Sequence, residues 1–186
     1  MNDRLGPSVD PFALFAALWA DARSVEPENI SDAAALATVG ADGRPSCRFV
    51  LLRGFDARGF AFYTNYESRK GRELLARPEA AMTFHWPARR VQVRIEGGVK
   101  QVDAAEAEAY FASRPRGSQI GAWASLQSRP LKSRFELLRR YVATKWKYRG
   151  RDVPRPPHWS GFRIEPRSIE FWFDRVSRLH ERGVYE

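Results

Sequence analysis

Four short stretches of this 186-residue sequence carry side chains suited to gripping an anion or a polar heterocycle. In Arg178-Leu179-His180-Glu181-Arg182, extended geometry would project Arg178, His180 and Arg182 on one face, two cations beside an imidazole. The same pentapeptide also reads as a strand edge decorated with charge. Ser68-Arg69-Lys70-Gly71 opens a predicted helix, where free backbone N–H groups and the helix dipole attract phosphate and two cations add to the pull. Ser68 there is equally a routine N-cap. The stretch from Ser113 through Arg114, Arg116, Ser118 and Gln119 to Trp123 reads as a loop between helices, with guanidinium, hydroxyl and amide donors that suit a second phosphate. A Pro/Gly connector whose arginines face water would look the same. Gln127-Ser128 offers donors for a heterocycle or a helix end.

Other chemistries find no support. Gly40-Ala41-Asp42-Gly43 lacks the spacing of a dinucleotide fingerprint or a Walker loop. Cys47 with His85, His158 and His180 offers no zinc-ligand spacing, so no metal is expected. No Ser/His/Asp set is evident. His85 and His158 read as structural, and Cys47 as a packing residue on a strand. A single cysteine also points to a reducing, cytoplasmic setting. The formal net charge is +9, yet acids are interspersed among the bases and no nucleic-acid-binding signature is present, so a solvated basic surface or a small anionic ligand is the expectation. No apolar run approaches a membrane span. Phe12 to Ala20 is apolar and runs into Ala20-Asp21-Ala22, a pattern like a signal cleavage site, but Asp3 and Asp10 spoil a basic leader and Asp10-Pro11 fits a helix start better.

Hydrophobic residues at 44% and aromatics at 13% are enough to build one core. Residues 1–9 read as a flexible leader, and 10–186 as one domain. Phe12, Leu14, Phe15, Leu18 and Trp19 recur at helical spacing. Strand-like runs follow at 33–39, 46–53, 60–64, 80–86 and 91–100; in the last, Val91, Val93 and Ile95 alternate with Gln92, Arg94 and Glu96. Helices are expected at 68–76, at 103–113 with Asp103 as cap, and at 131–148. Two further strands are expected at 159–164 and 168–173. Consecutive antiparallel strands with helices inserted late predict an α+β domain built on a small barrel.

These motifs, in this order, make the sequence resemble the pyridoxine/pyridoxamine 5′-phosphate oxidase family. The resemblance covers nearly the whole chain and rests on eight segments in register: Arg48-Phe49-Val50-Leu51-Leu52, Phe62-Tyr63-Thr64-Asn65, Ser68-Arg69-Lys70, Tyr110-Phe111-Ala112-Ser113-Arg114-Pro115, Ser118-Gln119-Ile120-Gly121-Ala122, Gln127-Ser128, Glu170-Phe171-Trp172 and Arg178-Leu179-His180-Glu181-Arg182. It implies an FMN-binding split β-barrel with peripheral helices, a homodimer whose clefts lie between subunits. Arg48, Tyr63, Thr64, Ser68, Arg69, Lys70 and Gln92 would hold FMN from one subunit; Gln127, Ser128, Trp172 and Arg182 would complete the site, mainly from the other. Tyr110, Arg114 and Ser118 match binders of the substrate phosphate, and Arg178 and His180 match the pair over the pyridine ring, the expected catalytic residues.

The implied reaction is oxidation of pyridoxamine or pyridoxine 5′-phosphate to pyridoxal 5′-phosphate, with oxygen as acceptor. A split-barrel oxidoreductase on another heterocycle, such as a phenazine precursor, and a non-catalytic flavin or pyridoxal phosphate binder are the alternatives. The sequence departs from the family twice. Arg53 stands where lysine is usual, at a position touching both cofactor and substrate phosphate; strict alternation would put it on the opposite face from Arg48, so a bulge or strand end is required for both to serve one site. Family members also continue past the Arg-Leu-His motif with one more strand and a short tail, whereas this sequence stops at Glu186.

Overall fold

The computed structural model describes residues 5–186; the first four residues of the expected flexible leader lie outside the described residues. Leu5 packs against the core, and Asp10 caps the first helix, α1 (Pro11–Arg23), by accepting from the Phe12 N–H at 2.9 Å with Pro11 in the first turn. A single turn, α2 (Glu28–Ser31), leads into β1 (Ala33–Val39), β2 (Pro45–Leu51), β3 (Gly54–Asp56) and β4 (Gly59–Asn65). Next come α3 (Arg69–Ala76), β5 (Glu79–Trp86), β6 (Val91–Gln101), α4 (Ala104–Ser113), α5 (Arg116–Ala124), α6 (Arg134–Lys147), β7 (Trp159–Phe173) and β8 (Glu181–Tyr185).

The strands form one antiparallel sheet in the order β2-β1-β5-β6-β7-β4-β3, with β8 added to β7. The sheet curls into a half-barrel because β7 is long enough to serve two neighbourhoods. Its first half pairs with β4 and the end of β6, its second half with the start of β6 and with β8. Alternation sends Leu36, Met82, Phe84, Val93, Ile95 and Phe171 inward, where all are fully buried or nearly so. Helix α1 plugs one end of the core: the Phe15 ring meets Phe60 edge-on at 4.8 Å and Phe84 at 5.3 Å.

Several expectations need correction. The stretch from Arg116 to Ala124 is helical, not a loop. The predicted break between 164 and 168 is absent: β7 runs through Pro166, which cannot donate to a ladder, because β6 shifts register between Glu96 and Gly97 opposite it. A side chain at Gly97 would strike the Glu165 backbone. Arg178 is not in extended geometry. Residues 176–178 form a turn of 3₁₀ helix in which Ser177 and Arg178 have φ of 59° and 62°, and strand geometry resumes only at Glu181. Asp103 caps α4 through its backbone carbonyl and not its side chain. Cys47 faces outward and is exposed. Past the Arg-Leu-His motif, β8 supplies a short last strand. Among the described residues no helix is long and apolar enough to cross a membrane.

Candidate active-site cleft

A cleft of about 740 Å³ opens between β2, β4 and helices α3 to α5. It gathers Arg53, Tyr63, Thr64, Lys70, Tyr110, Arg114, Ser118 and Gln127. Strand β2 ends at Leu51, so Arg53 escapes the alternation that would have turned it away; its N–H donates to the Ala61 carbonyl at the β3–β4 hairpin, and its side chain enters the cleft. There Nη1 donates to Glu28 Oε1 at 2.8 Å and Asp32 Oδ2 at 3.4 Å. Burial is the largest single influence and works against the Arg53 charge, but the hydrogen bond it donates to Glu28, together with the nearby Tyr110, Glu28 and Asp32, outweighs burial and raises the pKa.

Beyond Arg53, three stacked aromatic rings form a wall: Tyr63 lies 3.9 Å from Tyr110 and 5.5 Å from Trp159. Tyr63 Oη donates to Glu106 at 3.2 Å, and burial, with Glu106 nearby, pushes the phenol pKa well up. The Arg114 guanidinium lies 4.6 Å over the Trp159 ring. Its Nη1 is buried with no hydrogen-bond partner among the described residues, and burial lowers its pKa. A desolvated, unpaired guanidinium N–H on a cleft wall is a donor waiting for an anion.

At the other end, Lys70 Nζ donates to Thr64 Oγ1 at 3.1 Å and Gln127 Oε1 at 3.2 Å. Burial and the charge of Arg48 lower the Lys70 pKa to about 8. Ser68 is the N-cap of α3, accepting from the Gly71 N–H, and the Arg69 N–H donates to Ser128 Oγ at 3.1 Å. Ser128 holds φ at 65°, a conformation few non-glycine residues adopt, and thereby presents its hydroxyl to the helix start. Gln127 and Ser128 therefore join Thr64, Lys70 and Arg69 within one chain, not across subunits as the resemblance implied.

Arg48 does not line the cleft. It binds the Thr38 and Ser46 hydroxyls and Glu73, whose Oε2 also accepts from Thr38 at 2.6 Å and Ser46 at 2.7 Å while Oε1 accepts from Arg69 at 2.8 Å. Burial would raise the Glu73 pKa, but these four donors bring it down to about 2. Glu73 and Glu28 were not among the residues singled out from the sequence. Only the i,i+4 spacing of Arg69 and Glu73 hinted at a pair.

A second constellation occupies the outer face of the sheet. Gln92 on β6 pairs with Trp172 on β7, and Trp172 with Arg182 on β8. The His180 ring lies 4.6 Å from Trp172, and its Nδ1 accepts from the Arg175 N–H at 3.2 Å and sits 3.1 Å from Asp174. Arg182 Nε donates to Glu170 at 2.5 Å. Gln92 thus groups with Trp172 and Arg182, not with Arg48 and Thr64, and Arg178, in the turn that precedes β8, is exposed. None of these residues lines the cleft of Lys70 and Arg53.

A curled antiparallel half-barrel sheet with peripheral helices is the architecture of the split-barrel flavin proteins. The chain belongs to the pyridoxamine 5′-phosphate oxidase family, which it matches over residues 28–173. It is 58% identical over 184 residues to a pyridoxine/pyridoxamine 5′-phosphate oxidase of Brucella canis, covering 99% of this chain and 90% of that protein. Its fold matches, at a TM-score of 0.92 and 32% identity, a crystal structure of PhzG from Burkholderia lata in complex with tetrahydrophenazine-1-carboxylic acid, covering 100% of this chain and 91% of that one. A pyridoxamine 5′-phosphate oxidase-related, FMN-binding protein from Nostoc punctiforme shares the fold at a TM-score of 0.69 and 16% identity, covering 96% of this chain and 99% of that one.

Proposed function

We propose that the chain is an FMN-dependent oxidase that converts pyridoxamine 5′-phosphate, and pyridoxine 5′-phosphate, to pyridoxal 5′-phosphate. Oxygen is the acceptor, hydrogen peroxide is released, and the amine substrate also yields ammonia. The observation that carries this reading is the pairing of two cationic ends in one cleft, Lys70 with Thr64 and Gln127 at one and the unpaired Arg114 with Arg53 at the other. Such a cleft suits a phosphorylated substrate lying beside a phosphorylated cofactor. The donor set fits FMN: Lys70 and Arg69 would meet its phosphate, with Arg48 adding charge from outside the cleft, while Thr64, Ser68, Gln127 and Ser128 supply neutral polar groups. Bound FMN would supply the chemistry, accepting a hydride from the substrate carbon and passing the electron pair to oxygen.

The chain's own task is positioning. Arg53, Arg114, Tyr110 and Ser118 hold the substrate phosphate, and Tyr63 walls the cleft. Arg178 and His180 cover the pyridine ring, with His180 kept in orientation by the Trp172 ring and the Arg175 N–H. They sit with Gln92, Trp172 and Arg182 on the outer face, so they reach the cleft only from a second subunit, and the working form is a cytoplasmic homodimer. Phe49 and Leu51 support this, because they belong to the outer sheet face and also line the cleft. A second subunit covering that face would border the cleft.

The test is aerobic incubation of the purified chain and FMN with pyridoxamine 5′-phosphate, following aldehyde and peroxide together. Equimolar formation of both is expected. The likeness to PhzG favours one second reading, oxidation of a reduced tricyclic carboxylic acid; turnover of a tetrahydrophenazine carboxylate without turnover of the phosphorylated amine would establish it instead.

A further inference from the structure

The cations proposed to meet the FMN phosphate have a problem that their own charges create. Arg48, Arg69 and Lys70 lie close enough that the charge of Arg48 acts on Lys70. Like charges in a partly desolvated site repel and swing apart unless something holds them. The buried carboxylate of Glu73 sits among them, bound by the hydroxyls of Thr38 and Ser46, and reaches one arginine with each oxygen: Oε2 to Arg48 Nη2 at 3.1 Å, Oε1 to Arg69 Nε at 2.8 Å. The two Nη groups of Arg69, a residue more than half exposed, make no hydrogen bond among the described residues and stay available to an incoming anion.

We propose that Glu73 is a positioning residue, holding Arg69 beside Arg48 as a clamp for a phosphate monoester in which Arg69 donates and Arg48, its Nη groups already bonded to Leu36, Thr38, Ser46 and Glu73, supplies charge. The inference rests on the FMN reading above and adds a role to a residue that does not itself touch the ligand. Thr38 and Ser46 fix the carboxylate from β1 and β2, so the clamp is set before the cofactor arrives, and little ordering remains to oppose binding. A carboxylate next to a phosphate site would, by charge alone, weaken binding. Its contribution must therefore come through geometry, which gives the test a definite sign.

The experiment titrates the full-length protein with FMN and, separately, with riboflavin, which lacks the phosphate, reading flavin fluorescence. In Glu73→Gln, FMN affinity should fall on the order of tenfold, the contribution of one charge-assisted hydrogen bond, while riboflavin affinity stays within about twofold. Ser46→Ala keeps every charge and loosens the same clamp, so it should show a smaller loss in the same direction; it also serves if Glu73→Gln fails to fold. A merely structural role would weaken both flavins alike. FMN binding in the variants as tight as in the parent, or tighter, would overturn the proposal, because Glu73 would then only compete with the phosphate. A parent that does not prefer FMN to riboflavin would overturn the FMN reading as well.

Discussion

Arg53 stands where the family usually carries lysine, and its surroundings say what the exchange does. It lines the cleft with Arg114, so Arg53→Lys should remain active while Arg53→Ala should bind pyridoxal 5′-phosphate about ten- to hundredfold more weakly, measured by titration. Glu28 occupies the guanidinium that a substrate phosphate would need, at 2.8 Å, from an exposed position. An ion pair so exposed is weak, so Glu28→Gln should tighten pyridoxal 5′-phosphate binding by no more than about fivefold in the same titration. Lys70 gives a pH dependence. With its pKa at about 8, it loses its proton above that pH, whereas a bound phosphate would favour the charged form. FMN affinity should therefore be greatest below pH 8 and fall by up to about tenfold per pH unit above it, and Lys70→Met should lose that slope. The sequence made Arg53, Lys70 and Arg114 legible because cations in motif order advertise themselves. It did not reveal Glu28 or Glu73: apart from Arg69, one turn before Glu73, the partners that give them importance are 25 residues or more away along the chain.

The elements explain why some of the site could be read ahead of the structure and some could not. Strand β6 was legible because apolar and polar residues alternate cleanly, and α3 because Ser68 announces its start. Helix α5 was not: Gly117 and Gly121 weaken its propensity, and it is secured from outside by Arg116 donating to the Tyr148 carbonyl and Trp123 to the Pro154 carbonyl. Strand β8 is five residues of mixed charge, defined only by its ladder to β7. Helix α3 is docked on β1 and β2 by the Glu73 cluster. Because the folded pKa of Glu73 lies at about 2, below the unfolded value of 4.5, the stability it contributes, up to about 3 kcal/mol, is present above pH 4.5 and lost as pH falls toward 2. Glu73→Gln should flatten that part of an acid-unfolding profile. Gly71 sets how closely α3 seats on the end of β4, since a side chain there would lie 2.6 Å from Tyr66 Cα. Gly71→Ala should cost about 1–3 kcal/mol in a denaturant melt.

For the whole molecule, the split constellation is the central fact. The cleft and the Trp172 group lie on different surfaces of one chain, and the sheet face between them carries Ala33, Ala35 and Ala37 beside Leu51 and a Phe49 that is 75% exposed. An exposed apolar face of this kind fits a second copy of the chain. Phe49→Asp should give a monomer by sedimentation that binds FMN poorly, whereas a monomeric parent carrying a full complement of flavin would contradict the shared site. Residues 10–186, read as one folding unit, should melt in a single transition that excess FMN moves upward. The most direct test of the account is anaerobic mixing of the FMN-loaded protein with pyridoxamine 5′-phosphate, following the absorbance of oxidised flavin. The account predicts that the absorbance bleaches and returns when air is admitted; flavin that stays oxidised at saturating substrate would contradict it.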